Sequence, residues 1–236
     1  VSVDSSLIAS RREAILGQIA RAAELAGRNP SEVALLAVTK THTAAVVRAA
    51  VAAGLTRFGE NRVGEGAAKI EALRGDFPHL EWRLIGPLQS NKAKPALQWF
   101  SIVETLDRER LAVRLAGLLP PEAPVYPVLL EVNVGGEASK SGAPPAQVGA
   151  LADAALATGR LDVRGLMTVP PFADDPEAAR PHFRLLRETR DRLADRLGRE
   201  LPELSMGMSH DFEIAVAEGS TEVRIGTALF GPREAE

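Results

Sequence analysis

Val33-Ala-Leu-Leu-Ala-Val-Thr39 is an uncharged, largely apolar run, and Lys40 ends it just before a helix-like stretch from Thr43. Such a run reads as a strand of a parallel sheet, buried on both faces. The lysine then stands at the strand's carboxyl end, where α/β folds place their chemistry. A desolvated amine at such a place can lose its proton and form a Schiff base with an aldehyde or ketone.

Outward from that strand, strand and helix signals alternate to the end of the chain. Strands are expected at 33–39, 56–59, 81–86, 100–104, 125–133, 161–168, 204–207 and 222–226. Helices are expected at 43–53, 61–74, 89–98, 107–119, 144–158, 176–198 and 211–218, with a short final turn near 227–230. Before all of these comes a helix whose apolar face is Ile8, Ile15, Ile19, Ala22 and Ala26, capped from Asp4 to Ser6 and stopped by Gly27 and Pro30. Eight strands, seven or eight intervening helices and no long structureless loop predict α/β architecture closed as a single (β/α)8 TIM barrel. No GxGxxG or GxxxxGK[ST] loop follows a strand, which counts against an open nucleotide-binding sheet. The expected organisation is an N-terminal helix, 1–30, packed on a barrel, 31–236, with no linker between separate domains.

Composition narrows the function. The chain has 236 residues, 45% of them apolar, and a net charge of −3 with both signs interspersed. Its 28 Lys and Arg residues are scattered and aromatics make up only 4%, so nucleic acid is not an expected partner. Cysteine is absent, which rules out disulfides and thiol chemistry. His42, His79, His182 and His210 show no metal-ligand spacing. No apolar span reaches the length of a membrane helix, and the start of the sequence has no signal-peptide pattern. A cytoplasmic, monomeric protein with no membrane partner is expected.

Chemistry-bearing residues gather at the predicted strand ends. Lys40 follows the first strand, Glu60-Asn61-Arg62 the second, Ile85-Gly86-Pro87-Leu88-Gln89-Ser90-Asn91-Lys92 the third, and Gly207-Met-Ser-His-Asp211 the seventh. Asn61, Ser209 and Asp211 suit helix caps as well as a site. Yet Ser209, beside a helix start, and Gly226-Thr227, after the last strand, also offer N–H groups and hydroxyls to a phosphate, where barrels commonly bind one. Arg224 alternates with Val223 and Ile225; if those two lie under the helices, Arg224 points into the barrel. A buried guanidinium needs an acceptor. That acceptor is either a core carboxylate (Glu131, Asp162 or Glu60) or a bound ligand, for which Gly226 leaves room.

These segments together resemble a family. Ala37-Val-Thr-Lys40, Phe58-Gly-Glu-Asn61, Ile85-Gly-Pro-Leu-Gln-Ser-Asn-Lys92, Ser139-Lys-Ser-Gly142, Arg164-Gly-Leu-Met167, Gly207-Met-Ser-His-Asp211 and Val223-Arg-Ile-Gly-Thr-Ala-Leu-Phe-Gly231 are similar, in order and spacing, to the pyridoxal phosphate homeostasis proteins. The resemblance implies the barrel of fold-type III pyridoxal phosphate proteins, like the N-terminal domain of alanine racemase. It implies the cofactor pyridoxal 5′-phosphate as a Schiff base on Lys40. It places the phosphate against Ser209, Gly226 and Thr227, the pyridine nitrogen against Arg224 and the 3-hydroxyl near Asn61. The chain departs from the family pattern at Arg62, Gly64, Arg83 and His210, none of which removes one of these contacts.

An amino-acid racemase is the alternative, but it needs a second base. The single tyrosine, Tyr126, belongs at the start of the fifth strand, away from the site, and there is no cysteine. Arg224 would hold the pyridine nitrogen unprotonated and weaken the ring as an electron sink. A Schiff-base aldolase would want polar groups deep in the strands, whereas here most strands are expected to carry them only at their tips. The expected function is therefore a non-catalytic carrier of pyridoxal phosphate, with the cofactor as small-molecule partner and apo-enzymes as candidate recipients. The role of Lys140, in the loop after the fifth strand, is left open between a second ligand and solvent.

Overall fold

The computed structural model describes residues 4–137 and 140–231. Ser139 of the loop motif and the outermost residues of the expected domain bounds, 1–3 and 232–236, lie outside them. Eight parallel strands close into a barrel in chain order: β1 Ala34–Val38, β2 Arg57–Glu60, β3 Glu81–Leu84, β4 Ile102–Leu106, β5 Tyr126–Glu131, β6 Leu161–Met167, β7 Glu203–Met208 and β8 Glu222–Ile225. The helices are α1 Ser5–Leu25, α2 Ala44–Ala52, α3 Val63–Leu73, α4 Ala93–Trp99, α5 Glu109–Ala116, α6 Val148–Ala157, α7 Arg180–Leu197, α8 Phe212–Ala217 and the single turn α9 Thr227–Phe230. All eight expected strands are present within a few residues of their expected bounds, and the barrel prediction holds.

The helices start later than their apolar periodicity implies. Short 3-10 turns at Ser90–Lys92, Pro145–Gln147 and Pro176–Ala179 precede α4, α6 and α7. Proline fits the first position of such a turn because its missing N–H has no bond to make there.

Helix α1 is capped by Asp4, whose Oδ1 accepts from Ser6 N at 2.9 Å. It buries Ile8, Ile15, Ile19, Ala22 and Ala23. Ala26, expected on that face, is exposed, because the helix ends at Leu25 and Gly27, with φ 69°, turns the chain away. The apolar face packs against α2, α8 and α9. Arg11 donates to Leu229 O at 3.1 Å, and Arg28 donates to Val216 O at 2.7 Å and Ser220 O at 2.9 Å.

Strand alternation sorts the side chains into two layers. Trp82, Leu84, Val128, Leu130, Leu204, Met206, Val223 and Ile225 join the core under the helices. The inner layer is mixed. Ile102, Leu129 and Met167 form a small apolar cluster, but Arg83, Glu104, Ser205, Glu222 and Arg224 are buried as well. This corrects the expectation of polar groups only at the strand tips. In a closed barrel, charges on opposite strands reach one another and satisfy what a flat sheet would leave unpaired.

Candidate functional site

Lys40 lies half-buried just beyond β1, at the carboxyl rim. The backbone on both sides of it is held. Lys69 on α3 donates from Nζ to Thr39 O at 2.6 Å, to Glu60 Oε1 at 2.8 Å and to Glu65 Oε1 at 2.7 Å. Thr39 Oγ1 donates to Glu60 Oε1 at 2.6 Å, and Thr41 N donates to Glu65. Thr41 has φ 68°, a costly conformation for a β-branched residue, so these bonds hold the bend that carries Lys40. Burial raises the Glu60 pKa, and Lys69 offsets part of that penalty.

The next strand contributes Asn61. It is not a helix cap: α3 starts at Val63 with Arg62 in the cap position, and no side chain bonds the first turn. Gly86 at the exit of β3 lies so close that a Cβ there would stand 2.2 Å from Asn61 O. Only glycine allows that approach, which sets the position of Asn61 on the rim.

On the other side of Lys40, β7 and β8 bring Ser209, Gly226 and Thr227. Gly207, with φ 94°, turns β7 into α8, and a Cβ on it would meet Ala215 Cβ at 2.5 Å. Asp211 Oδ1 accepts from Met208 N at 2.6 Å and makes no bond to the first turn of α8. Ser209 Oγ accepts from Ala228 N at 3.2 Å, so the β7 loop and the α9 turn present a hydroxyl and N–H groups to one spot. Gly226 is different from Gly207: a Cβ on it would touch nothing closer than 3.4 Å, at Val38 O. Packing within the protein does not demand glycine there, which leaves room for a ligand beside β1.

Arg224 faces the barrel interior, 4% exposed. Nη1 donates to Ser205 Oγ at 2.8 Å and Nη2 to Thr168 O at 2.7 Å. It forms no salt bridge among the described residues; Asp162 pairs with Arg199 and Glu60 with Lys69. Among the described residues, two of the five guanidinium N–H donors are thus used, and three have no protein partner. Glu131 lies near enough to feel the Arg224 charge, yet its buried Oε2 has no hydrogen-bond partner among the described residues. Burial first, and then the charge of Asp107, push its pKa up to about 7 against the pull of Arg224.

Around the closed sheet the order is β7, β8, β1, β2. Lys40, Asn61, Ser209, Arg224, Gly226 and Thr227 therefore occupy one arc of the barrel. The register sets Leu36 against Arg224 and Ala37 against Ile225, which brings Gly226 beside the end of β1. Tyr126 is the first residue of β5, at the opposite end, and its hydroxyl donates to Phe100 O at 2.8 Å. Lys140 is tied to Glu137 Oε2 at 2.6 Å and Pro170 O at 3.1 Å, within the loops after β5 and β6. Lys69 went unread in the sequence, because the Glu65–Lys69 spacing looks like an exposed helix pair; Glu131 is read there only as a candidate salt-bridge partner of Arg224, and it stands near that charge without pairing with it. No group of three or more potential metal ligands occurs among the described residues, and none of their helices is long and apolar enough to cross a membrane.

An arginine with donors to spare, hydroxyl and N–H groups turned to one spot, a glycine with room beside it and a lysine at the end of the adjoining strand suit a compact, anionic, carbonyl-bearing ligand. Comparison with known proteins points the same way. A family model described as alanine racemase, N-terminal domain, matches residues 11–234. The pyridoxal phosphate homeostasis protein of Aquifex aeolicus is 45% identical over 224 residues, covering 95% of this chain and 97% of its own. The structure of PipY from Synechococcus elongatus with pyridoxal phosphate bound superposes with a TM-score of 0.79 at 38% identity, covering 90% of this chain and 100% of that one. Alanine racemase of Corynebacterium glutamicum, at 20% identity and a TM-score of 0.67, covers 98% of this chain and 61% of its own, and shares the fold.

Proposed function

Because the chain belongs to the pyridoxal phosphate homeostasis protein family, we propose that it holds pyridoxal 5′-phosphate as a Schiff base on Lys40 and keeps it for delivery without turnover. The observation that carries this is the single arc of rim residues on β7, β8, β1 and β2. Lys40 supplies the amine. Ser209, Gly226 and Thr227 hold the phosphate, Arg224 donates to the pyridine nitrogen with an unused N–H, and Asn61 lies toward the 3-hydroxyl. When bound, the cofactor supplies an aldehyde that condenses reversibly with an amine, and reversibility is what a carrier requires.

The protein's own groups favour holding over chemistry. Arg224 cannot give up its proton, so a ring nitrogen facing it stays unprotonated and the ring is a weak electron sink. A racemase needs a base on each face of its substrate, and Tyr126 is committed to Phe100 O at the far end of the barrel. In this reading residues 31–236 form the cofactor barrel and 1–30 the helix that braces it. The protein works as a cytoplasmic monomer whose partners are the cofactor and the apo-enzymes that take it up.

The test loads the protein with pyridoxal phosphate, removes the excess, and adds an apo-enzyme of that cofactor. Activity should return as the bound pool falls. In parallel, amino acids in D₂O should exchange their α-protons no faster than with free cofactor. Stereospecific exchange at about 1 per second or more would make the protein a racemase instead.

A further inference from the structure

Below the rim, Arg83 on β3 points across the barrel floor and gathers four carboxylates. It pairs with Glu81 at 2.7 Å and Glu104 at 3.3 Å, and with Glu203 at 2.7 Å and Glu222 at 3.1 Å on the far side. Glu104 and Glu222 are almost fully buried, and the Ser205 hydroxyl joins them to Arg224. Ser205 Oγ is 2.6 Å from Glu104 Oε2, 3.1 Å from Glu222 Oε1 and 2.8 Å from Arg224 Nη1.

The donor count fixes the direction of these bonds. Arginine can only donate, so Ser205 must accept from Arg224. The hydroxyl has one proton, and the shorter contact gives it to Glu104. Burial first, and then the neighbouring Glu104 charge, raise the Glu222 pKa well above the ordinary carboxylate range. The bonds therefore run from Arg83 through Glu104 and Ser205 to Arg224. The second hold on the guanidinium, Thr168 O, is fixed in turn: Thr168 N donates to Ser205 O at 3.2 Å and Thr168 Oγ1 to Val132 O at 2.6 Å.

We propose that Glu104 and Ser205 are positioning residues which, anchored by Arg83, orient Arg224 so that its unused donors face the cofactor. A long, flexible side chain is held at two points, and one of them is a hydroxyl that Glu104 keeps turned as an acceptor. Arg83, set apart in the sequence as a departure from the family pattern, thereby acquires a role: it keeps the Glu104 carboxylate in place behind Ser205. A core ion cluster serving stability alone would leave the guanidinium's orientation to Thr168.

The proposal rests on the cofactor reading above, so its test has one arm without cofactor and one with it. In the first, NMR follows the arginine side-chain N–H signals of the apo protein, with the Arg224 signal assigned by its loss in Arg224→Lys. Ser205→Ala and Glu104→Gln should each remove or broaden that protected signal; a signal unchanged in both variants overturns the proposal whether or not cofactor binds. In the second, pyridoxal phosphate is titrated into wild type, Ser205→Ala, Arg224→Ala and the double variant. Ser205→Ala should weaken binding about five- to tenfold and shift the visible band, and should add less than about twofold once Arg224 is gone. Equal losses with and without Arg224 would reduce the cluster to a structural one. A wild type that binds no cofactor while the NMR arm succeeds would fault the carrier reading and leave the positioning intact.

Discussion

Glutamine in place of Glu131 should stabilise the apo protein at pH 8 and change little near pH 4.5. Burial, with Asp107 adding and Arg224 opposing, lifts this carboxyl from an ordinary 4.5 to about 7. Between those values the folded protein keeps a proton that the unfolded chain has released. The folded state binds more protons, so stability falls as pH rises from about 4.5 to about 7, and the loss persists above. A difference of that size is worth about 3 kcal/mol. Glutamine is neutral throughout and escapes the penalty, and other titrating groups cancel in the difference between the two proteins. Urea unfolding of both at pH 5, 6, 7 and 8 reads this directly; at pH 8 the gain corresponds to about 6–12 °C in Tm. A difference that stays flat with pH, or a variant less stable than wild type at pH 8, would refute a proton-bearing Glu131.

Arg224→Ala should weaken pyridoxal phosphate binding by about 1–3 kcal/mol, read by absorbance titration, because the ring nitrogen loses a charged donor; wild-type affinity and spectrum would make Arg224 a structural residue. Tyr126→Phe should cost about 1 kcal/mol of stability in urea, through the lost bond to Phe100 O, and leave cofactor titrations unchanged. Lys69→Met strips a buried cation from Glu60 and from Thr39 O, and should cost about 3–5 kcal/mol in the same unfolding assay.

What could be read from the sequence follows from what a parallel barrel does to it. Strands covered on both faces become apolar runs, so β1 and β5 stand out, and the lysine ending β1 is visible at once. The inward direction of Arg224 follows from Val223 and Ile225 alone. The same parity governs Glu222 and Arg224, Glu203 and Ser205, and Glu81 and Arg83, so the inward direction of those side chains was present too. What one strand cannot reveal is which group on another strand answers it: Arg83 meets Glu203 only because the sheet closes. Lys69 was hidden for a similar reason. Its Glu65 partner is local, but the bond to Thr39 O that buries it joins a helix to a strand thirty positions away.

The measurement that bears most directly on a lysine-held cofactor is borohydride reduction of the protein loaded with pyridoxal phosphate, followed by peptide mapping. Reduction should bleach the visible band and leave the cofactor's mass on Lys40 in near one-to-one yield. The same mass mainly on Lys69, Lys92 or Lys140, or no stable label with the cofactor in excess, would contradict the assignment of the site to the β1 rim.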